Sequence, residues 1–211
     1  MKVIFLDIDG VLNSETRAKE ISKLRKAGKA TEKDLDRWDY PYEGTMLPLQ
    51  KIVKETGAKI VLSSSWRTID ERVKILENIF KDYDLTIMDK TCYMVLLSNL
   101  KKTGFNINKT WDAKYRKHDA WLNDFYKYNT SDRGAEITMW LVDHPDVESF
   151  VILDDDYVDI QPYFKEQHVR TDFYGDALTM ELADKAIEIL NKPRTDFLVK
   201  KGKKKLGRNR T

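Results

Sequence analysis

The sequence predicts an α/β fold built on a doubly wound parallel sheet of about five strands, and two features carry that prediction. Short apolar runs without polar alternation recur along the chain, as in strands that are buried on both faces. Amphipathic segments of helical period lie between these runs. Strands that alternate with helices in this way form parallel sheets covered on both faces. With 211 residues, the chain is long enough to fill one such core.

Three predicted strands are strong, and each ends in polar residues. They are VIFLDIDG (3–10), AKIVLSSSW (58–66) and SFVILDDD (149–156). Two weaker strands are predicted at LTIMD (85–89) and HVRTDF (168–173). Because ligands of open α/β sheets bind beyond the carboxyl ends of the strands, the polar residues at these ends are the first candidates for a functional site.

Helices are predicted between the strands from their apolar stripes and stop signals. Their ranges are 46–57, 68–80, 133–145 and 176–192. Gly57 stops the first of these helices, and Pro193 follows directly after the last. The second places Ile69, Val73 and Phe80 on one face.

Two segments interrupt the alternation and are interpreted as helical insertions, at about 14–44 and 90–132. The second contains aromatic residues at near-helical spacing between 111 and 125. Such a stripe is typical of a helix face that packs on the domain, and a platform for base stacking is the alternative. The predicted organisation is one domain over residues 1–191 followed by a basic, disordered tail over 192–211.

Charge is distributed unevenly along the chain. The formal net charge is +2, but residues 192–211 contain nine Lys or Arg and one acid, so the tail carries +8 and the rest −6. A tail of this kind attracts polyanions through counterion release, although it can equally serve solubility. The single cysteine, Cys92, suits a reducing compartment, and no signal peptide or membrane-length apolar run is visible. These features predict a soluble, cytoplasmic protein.

The chemistry at the strand ends points to a metal-assisted reaction on a phosphate. If the three strong strands are neighbours, their ends bring together five carboxylates and a serine hydroxyl. So many acids at close range raise each other's pKa unless a cation is present, and Mg²⁺ prefers oxygen ligands. One carboxylate of the pair Asp7 and Asp9 can attack phosphorus, while the other transfers protons. Gly10 permits a sharp backbone turn beside them.

Four segments resemble the motifs of the haloacid dehalogenase-like (HAD) phosphohydrolases, in the right order. They are DIDGVLN, KIVLSSSWR, RGAEITMWL and FVILDDD. They are most similar to the HAD domain of Swiss-Army-knife RNA repair proteins, over roughly residues 1–13, 46–80 and 133–191. The resemblance implies a HAD-like, Rossmann-like fold and phosphatase activity with Mg²⁺ as cofactor.

The resemblance also implies roles for the motif residues. Asp7 is expected to be the nucleophile and a metal ligand. Asp9 is expected to act as general acid and base and to approach the metal through its backbone carbonyl. It also favours phosphate transfer, since relatives that cleave carbon–halogen bonds lack this acid. Ser63 and Arg133 match the second-motif hydroxyl and the third-motif cation, and all four are the predicted catalytic residues. Asp154 and Asp155 match the metal-holding acids of the fourth motif, with the direct ligand left open.

Residues next to these motifs allow two interpretations each. Ser64 is a candidate substrate-binding residue, but it can equally satisfy backbone groups at the end of its strand. Arg67 is expected to contact either substrate phosphate or a surface carboxylate. Trp66 is expected to pack beneath the site, with lining the site as the alternative, and Trp140 is expected in the core.

The predicted function is a magnesium-dependent phosphomonoester hydrolase acting through an aspartyl-phosphate. The expected substrate is a nucleotide or a nucleic-acid terminal phosphate, as in end processing or repair, and the tail Lys200–Arg210 is a candidate contact for a polyanion. No GxxxxGK[ST] motif of a kinase or ligase is present. Two alternatives stay open: a phosphatase of free nucleotides or sugar phosphates, and a catalytically idle HAD module that binds nucleic acid.

Overall fold

A single parallel sheet organises the chain, whose computed structural model describes residues 1–31, 40–92, 132–156, 160 and 164–196. Its strands are β1 (Lys2–Leu6), β2 (Lys59–Leu62), β3 (Ile87–Lys90), β4 (Ser149–Asp154) and β5 (His168–Arg170). They are ordered β3-β2-β1-β4-β5, and every neighbouring pair is parallel. The predicted α/β fold with a five-stranded, doubly wound parallel sheet is confirmed.

The described helices connect these strands and cover both faces of the sheet. They are α1 (Glu15–Lys26), α2 (Glu43–Thr56), α3 (Asp70–Lys81), α4 (Asp132–Asp143) and α5 (Met180–Leu190). A short 3-10 helix, Ser65–Thr68, precedes α3. All four predicted helices thus have a counterpart in the structure, with shifted ends.

Alternate side chains of β1 divide the interior into two apolar clusters. Ile4 and Leu6 belong to the cluster covered by α2, α3 and α5. Val3 and Phe5 belong to the cluster covered by α4, where Phe5 packs edge-on against Trp140 at 5.3 Å between ring centroids. Because both faces are buried, β1 needs the uninterrupted apolar run that the sequence shows. Trp140 lies in the core, as predicted.

Two helices begin later than their apolar stripes predict. The side chain of Thr179 accepts a hydrogen bond from the backbone N–H of Leu182, so α5 begins at Met180 and not at 176. Helix α3 begins at Asp70, because residues 65–68 form the 3-10 helix. Ile69 is consequently 42% exposed and does not share the buried face of α3.

Packed residues continue past residue 191, the predicted end of the domain. Arg194 forms an ion pair with Asp196 at 2.7 Å and donates a hydrogen bond to the carbonyl of Val147. The packed chain therefore extends at least to Asp196. The first predicted insertion contains α1. The aromatic stripe of the second lies outside the described residues.

Among the described residues, no helix is both long enough and apolar enough to cross a membrane.

Candidate active site

The carboxyl ends of the three central strands bring Asp7, Ser63 and Asp154 together. Asp7 follows β1, which lies between β2 and β4. The backbone N–H of Asp7 donates to the carbonyl of Leu153 at 3.0 Å, and that of Ser63 donates to the carbonyl of Leu6 at 2.8 Å. The hydrogen-bond ladder thus continues one residue beyond the end of β1 toward β4 and one residue beyond the end of β2 toward β1. These bonds fix Asp7, Ser63 and Asp154 relative to one another.

Arg133 reaches all three of these residues from the first turn of α4. Its Nη1 lies 3.3 Å from the Ser63 hydroxyl, its Nη2 lies 3.4 Å from Oδ2 of Asp7, and its Nε lies 3.5 Å from Oδ2 of Asp154. Burial alone would lower the pKa of Arg133, but the charges of Asp7 and Asp154 outweigh it and raise the pKa. Arg133 therefore stays cationic at the centre of the site.

An acidic cluster lies beside this arginine. Carboxylate oxygens of Asp7, Asp154 and Asp155 lie within 4.8 Å of one another. Burial, reinforced by the charge of Asp7, raises the pKa of both Asp154 and Asp155, although Arg133 opposes the effect at Asp154. Three acids against one arginine leave an excess of negative charge, which a bound cation would neutralise.

Two further observations fit a cation here. Oδ2 of Asp154 is buried and accepts no hydrogen bond; the guanidinium of Arg133 is its ion-pair neighbour. Gly10 has φ +76°, and a Cβ on it would lie only 2.4 Å from Cγ of Asp155. The absence of a side chain at Gly10 thus lets the Asp155 carboxylate approach the loop that follows Asp7. An all-oxygen donor set suits a hard divalent metal such as Mg²⁺ or Ca²⁺.

Asp9 is not one of the three residues of this acidic cluster, and its carboxylate has partners of its own. Its Oδ1 accepts a hydrogen bond from the side-chain amide of Asn13 at 2.8 Å, and its Oδ2 accepts one from the indole N–H of Trp66 at 3.0 Å. The expected contact between metal and the Asp9 backbone carbonyl stays a prediction. The sequence predicts that Trp66 either packs beneath the site or lines it. It is fully buried, and its indole N–H contacts the predicted site residue Asp9.

Ser63 and Ser64 differ in what their hydroxyls contact. The Ser63 hydroxyl faces Arg133, as described above. The Ser64 hydroxyl accepts a hydrogen bond from the backbone N–H of Trp66 and caps the 3-10 helix, and the residue is fully buried. The hydroxyl thus satisfies a backbone group at the end of the strand, and the substrate-binding role of Ser64 stays a prediction.

Arg67 makes its contacts within the protein, and its predicted contact with substrate phosphate stays a prediction. It forms a buried ion pair with Glu136 of α4 at 2.5 Å. Its remaining N–H groups donate to the backbone carbonyls at positions 63, 64, 91 and 92. These five bonds use all five guanidinium donors, so Arg67 ties the loop after β2 to the end of β3 and to α4.

Sequence reasoning missed Asn13 and Glu136. Asn13 stands four residues after Asp9, and its Oδ1 accepts a hydrogen bond from the backbone N–H of Gly10 at 3.1 Å. Its place in the turn after the DxDG pattern is a signal for a side chain that closes that turn. Glu136 stands three residues after Arg133 and next to the apolar Ile137, and an acid on a buried stripe indicates a buried cation as partner.

Comparison with known protein families agrees with this geometry. The model of the family described as the HAD domain in Swiss Army Knife RNA repair proteins matches residues 3–181. No curated protein and no solved structure is significantly similar to the chain. The match includes each of the strand ends and α4 with its arginine. The chain belongs to the family of HAD domains found in Swiss Army Knife RNA repair proteins.

Proposed function

We propose that this protein is a magnesium-dependent phosphomonoester hydrolase that works through an aspartyl-phosphate on Asp7. The observation that carries the proposal is the position of Arg133, within 3.5 Å of Ser63, Asp7 and Asp154 and next to an acidic cluster. A fixed guanidinium and a metal-holding cluster are the two charges that a transferring phosphoryl group needs. Membership in the HAD family supports a hydrolase of this kind in general.

Asp7, Asp154 and Asp155 are the residues that would hold Mg²⁺. When bound, Mg²⁺ supplies positive charge that offsets the repulsion between the phosphate and the acids around it. Oδ1 of Asp7 accepts a hydrogen bond from the backbone N–H of Ile8 at 2.7 Å, whereas Oδ2 faces Arg133. We therefore assign Oδ2 as the attacking oxygen.

The reaction has two steps. In the first, Oδ2 of Asp7 bonds to phosphorus, the bond between phosphorus and the ester oxygen breaks, and Asp9 gives its proton to that oxygen. In the second, water attacks phosphorus, Asp9 takes a proton from it, and the bond to Asp7 breaks to release phosphate. Arg133 and the Ser63 hydroxyl hold the phosphoryl oxygens throughout.

For the substrate we propose a nucleotide or a nucleic-acid terminal phosphate. The family is named for RNA repair proteins, and the sequence contains seven Lys or Arg within Lys200–Arg210. Two described residues support the same class. Arg170 is exposed, and its Nε donates to the backbone carbonyl of Asp155 at 3.1 Å. Tyr174 is 74% exposed, in the loop that follows β5.

The loop that carries Tyr174 is attached close to the site. The carbonyl of Phe173 accepts a hydrogen bond from the backbone N–H of Glu15, and the carbonyl of Tyr174 accepts one from the Thr16 hydroxyl. Both donors lie at the start of α1, shortly after the turn that contains Asp9. An exposed guanidinium and an exposed aromatic ring at this edge suit a phosphate and a base next to the reacting group.

The test is phosphate release with Mg²⁺ from a 3′-phosphorylated oligonucleotide and from a matched mononucleotide, with Asp7→Asn as the control. We expect turnover of the oligonucleotide to be preferred and to be lost in the variant. Truncation after Val199 removes the seven basic residues and should weaken turnover of the oligonucleotide, at moderate salt, while leaving the mononucleotide unaffected.

Other outcomes have distinct meanings. Preference for the mononucleotide, with no effect of truncation, would assign the protein to free nucleotides or other small phosphate esters. Inactivity on a broad panel of phosphate esters with Mg²⁺ would favour a nucleic-acid-binding module. Activity that survives in Asp7→Asn would exclude Asp7 as the nucleophile.

A further inference from the structure

The carboxylate of Asp9 is held by two N–H donors from different parts of the chain. Asn13 holds Oδ1 from within the turn after β1, and Trp66 holds Oδ2 from the 3-10 helix after β2, 57 residues away. Neither N–H donor is required for chain reversal at Asp9 and Gly10, since the side-chain Oδ1 of Asn13 already closes that turn by accepting from the Gly10 backbone N–H. The indole contact is therefore a feature that the fold of the turn does not explain.

Trp66 is itself rigidly placed. The residue is fully buried, its ring meets that of Tyr40 edge-on at 5.8 Å, and the guanidinium of Arg72 lies 4.8 Å from the ring centre. Its backbone N–H donates to the Ser64 hydroxyl. A ring enclosed in this way cannot turn without opening the core, so its N–H keeps a fixed direction.

We infer that Trp66 is a positioning residue for Asp9: its indole N–H holds the carboxylate of the general acid and base in the place from which protons are transferred. The inference rests on the proposed phosphatase activity. Asp9 must meet the ester oxygen in the first step and a water in the second, and a carboxylate on a turn is otherwise free to rotate about two side-chain torsions. Two directed N–H donors remove that freedom before the substrate arrives.

The inference predicts that loss of the Trp66 N–H affects alkyl and aryl phosphate esters differently. An alkyl ester, such as one with a ribose hydroxyl as leaving group, needs a proton from Asp9 as its bond to phosphorus breaks. A nitrophenyl ester leaves as a stable anion and needs none. Since kcat/KM covers the steps up to the departure of the leaving group, loss of positioning should lower kcat/KM for the alkyl ester and spare the aryl ester.

The variant for the test is Trp66→Phe, which keeps an aromatic ring in the core but removes the N–H donor together with the volume of the second ring, a volume loss that the matched control shares. We expect kcat/KM with Mg²⁺ to fall at least about tenfold for a nucleoside monophosphate and to change by less than about threefold for p-nitrophenyl phosphate. The matched control is Trp140→Phe. The indole of Trp140 also donates to a carboxylate, Oδ2 of Asp89 at 2.6 Å, but in the other apolar cluster. Its loss should not change the ratio between the two substrates.

A second variant keeps the inference testable if Trp66→Phe does not fold. Asn13→Ala removes the other donor to Asp9 together with the acceptor of the Gly10 N–H, and it should produce the same split between alkyl and aryl esters. Equal losses on both substrates, or no loss on either, in the folded variants would overturn the inference. Failure of the proposed function looks different: the wild-type protein would not hydrolyse either ester, or Asp7→Asn would hydrolyse both.

Discussion

Two arginines, Arg67 beside α4 and Arg133 within it, differ in how their charge is used. Arg67 faces one carboxylate, that of Glu136, and both side chains are 3% exposed. All five of its N–H donors have acceptors in the protein. Arg133 faces Asp7 and Asp154 at 3.4 and 3.5 Å, with Asp155 close by. Its contacts are longer, and the acids around it outnumber it.

The difference shows how a buried charge that stabilises the fold can be told from a charge that is available to a ligand. A buried ion pair of matched charge and complete hydrogen bonding leaves nothing for a ligand, so it serves the fold. A cluster with surplus acids and a buried oxygen that accepts no hydrogen bond has the charge and the oxygen ligands to take up a cation. We call the first the balanced pair (Arg67 and Glu136) and the second the unbalanced cluster (Arg133, Asp7, Asp154 and Asp155).

The largest effect on activity is expected from Arg133→Ala in the unbalanced cluster. Turnover with Mg²⁺ should fall by at least about 100-fold, since a positioned cation stabilises the charge of the transferring phosphoryl group. The urea midpoint should change much less than in a variant of the balanced pair. Wild-type turnover in Arg133→Ala would place the functional cation elsewhere.

The largest effect on stability is expected from Arg67→Ala in the balanced pair. The free energy of unfolding should fall by about 3–5 kcal/mol, because Glu136 would be left buried without its partner. Urea denaturation measures the change. The double variant R67M/E136M removes both charges and should be more stable than Arg67→Ala. A folded Arg67→Ala of unchanged stability but lost activity would support the substrate-binding role that the sequence predicts.

The sequence shows the unbalanced cluster better than it shows the balanced pair. Asp7, Ser63 and Asp154 each follow an apolar run, and the rule that parallel strands share a carboxyl edge is enough to bring them together. The pairing of Arg67 with Glu136 spans 69 residues and depends on how α4 packs against the loop after β2. The contact of Trp66 with Asp9 depends on the direction of an indole ring, which apolar periodicity does not encode.

A smaller effect is expected from Gly10→Ala. This variant tests whether the unbalanced cluster holds a metal ion. The added Cβ would displace the Asp155 carboxylate, so the Mg²⁺ concentration for half-maximal activity should rise on the order of tenfold. Gly57→Ala is the matched control: Gly57 has φ +67°, but its Cβ would meet nothing within 4 Å. Equal Mg²⁺ requirements in the two variants would mean that Asp155 does not hold the metal.

The smallest expected effect is the pH dependence of stability without metal. Burial raises the pKa of Asp154 and Asp155 in the folded chain above the ordinary aspartate value of 3.8, so the folded state binds more protons than the unfolded state from that pH up to the raised values. The extra bound protons stabilise the folded state, and this stabilisation is lost as the pH rises from 3.8 through the raised pKa values. Mg²⁺ competes with those protons, and its stabilisation should be larger at about pH 8 than at about pH 5.

Thermal denaturation with and without Mg²⁺ at both pH values checks this prediction, with Asp154→Asn as the comparison. The variant should lose most of the pH-dependent part of the Mg²⁺ effect. A Mg²⁺ effect of the same size at both pH values in the wild-type protein would contradict the raised pKa values.

The most direct test of the central claim, that Asp7 carries the phosphoryl group in the unbalanced cluster, uses Asp9→Asn and p-nitrophenyl phosphate with Mg²⁺. The first step needs no proton for this leaving group, whereas the second needs Asp9 to take a proton from water. We predict a burst of one nitrophenolate per protein molecule and a phosphoryl adduct, found by peptide mass spectrometry, on Asp7. Steady turnover of Asp9→Asn at the wild-type rate, or an adduct on a different residue, would contradict the account.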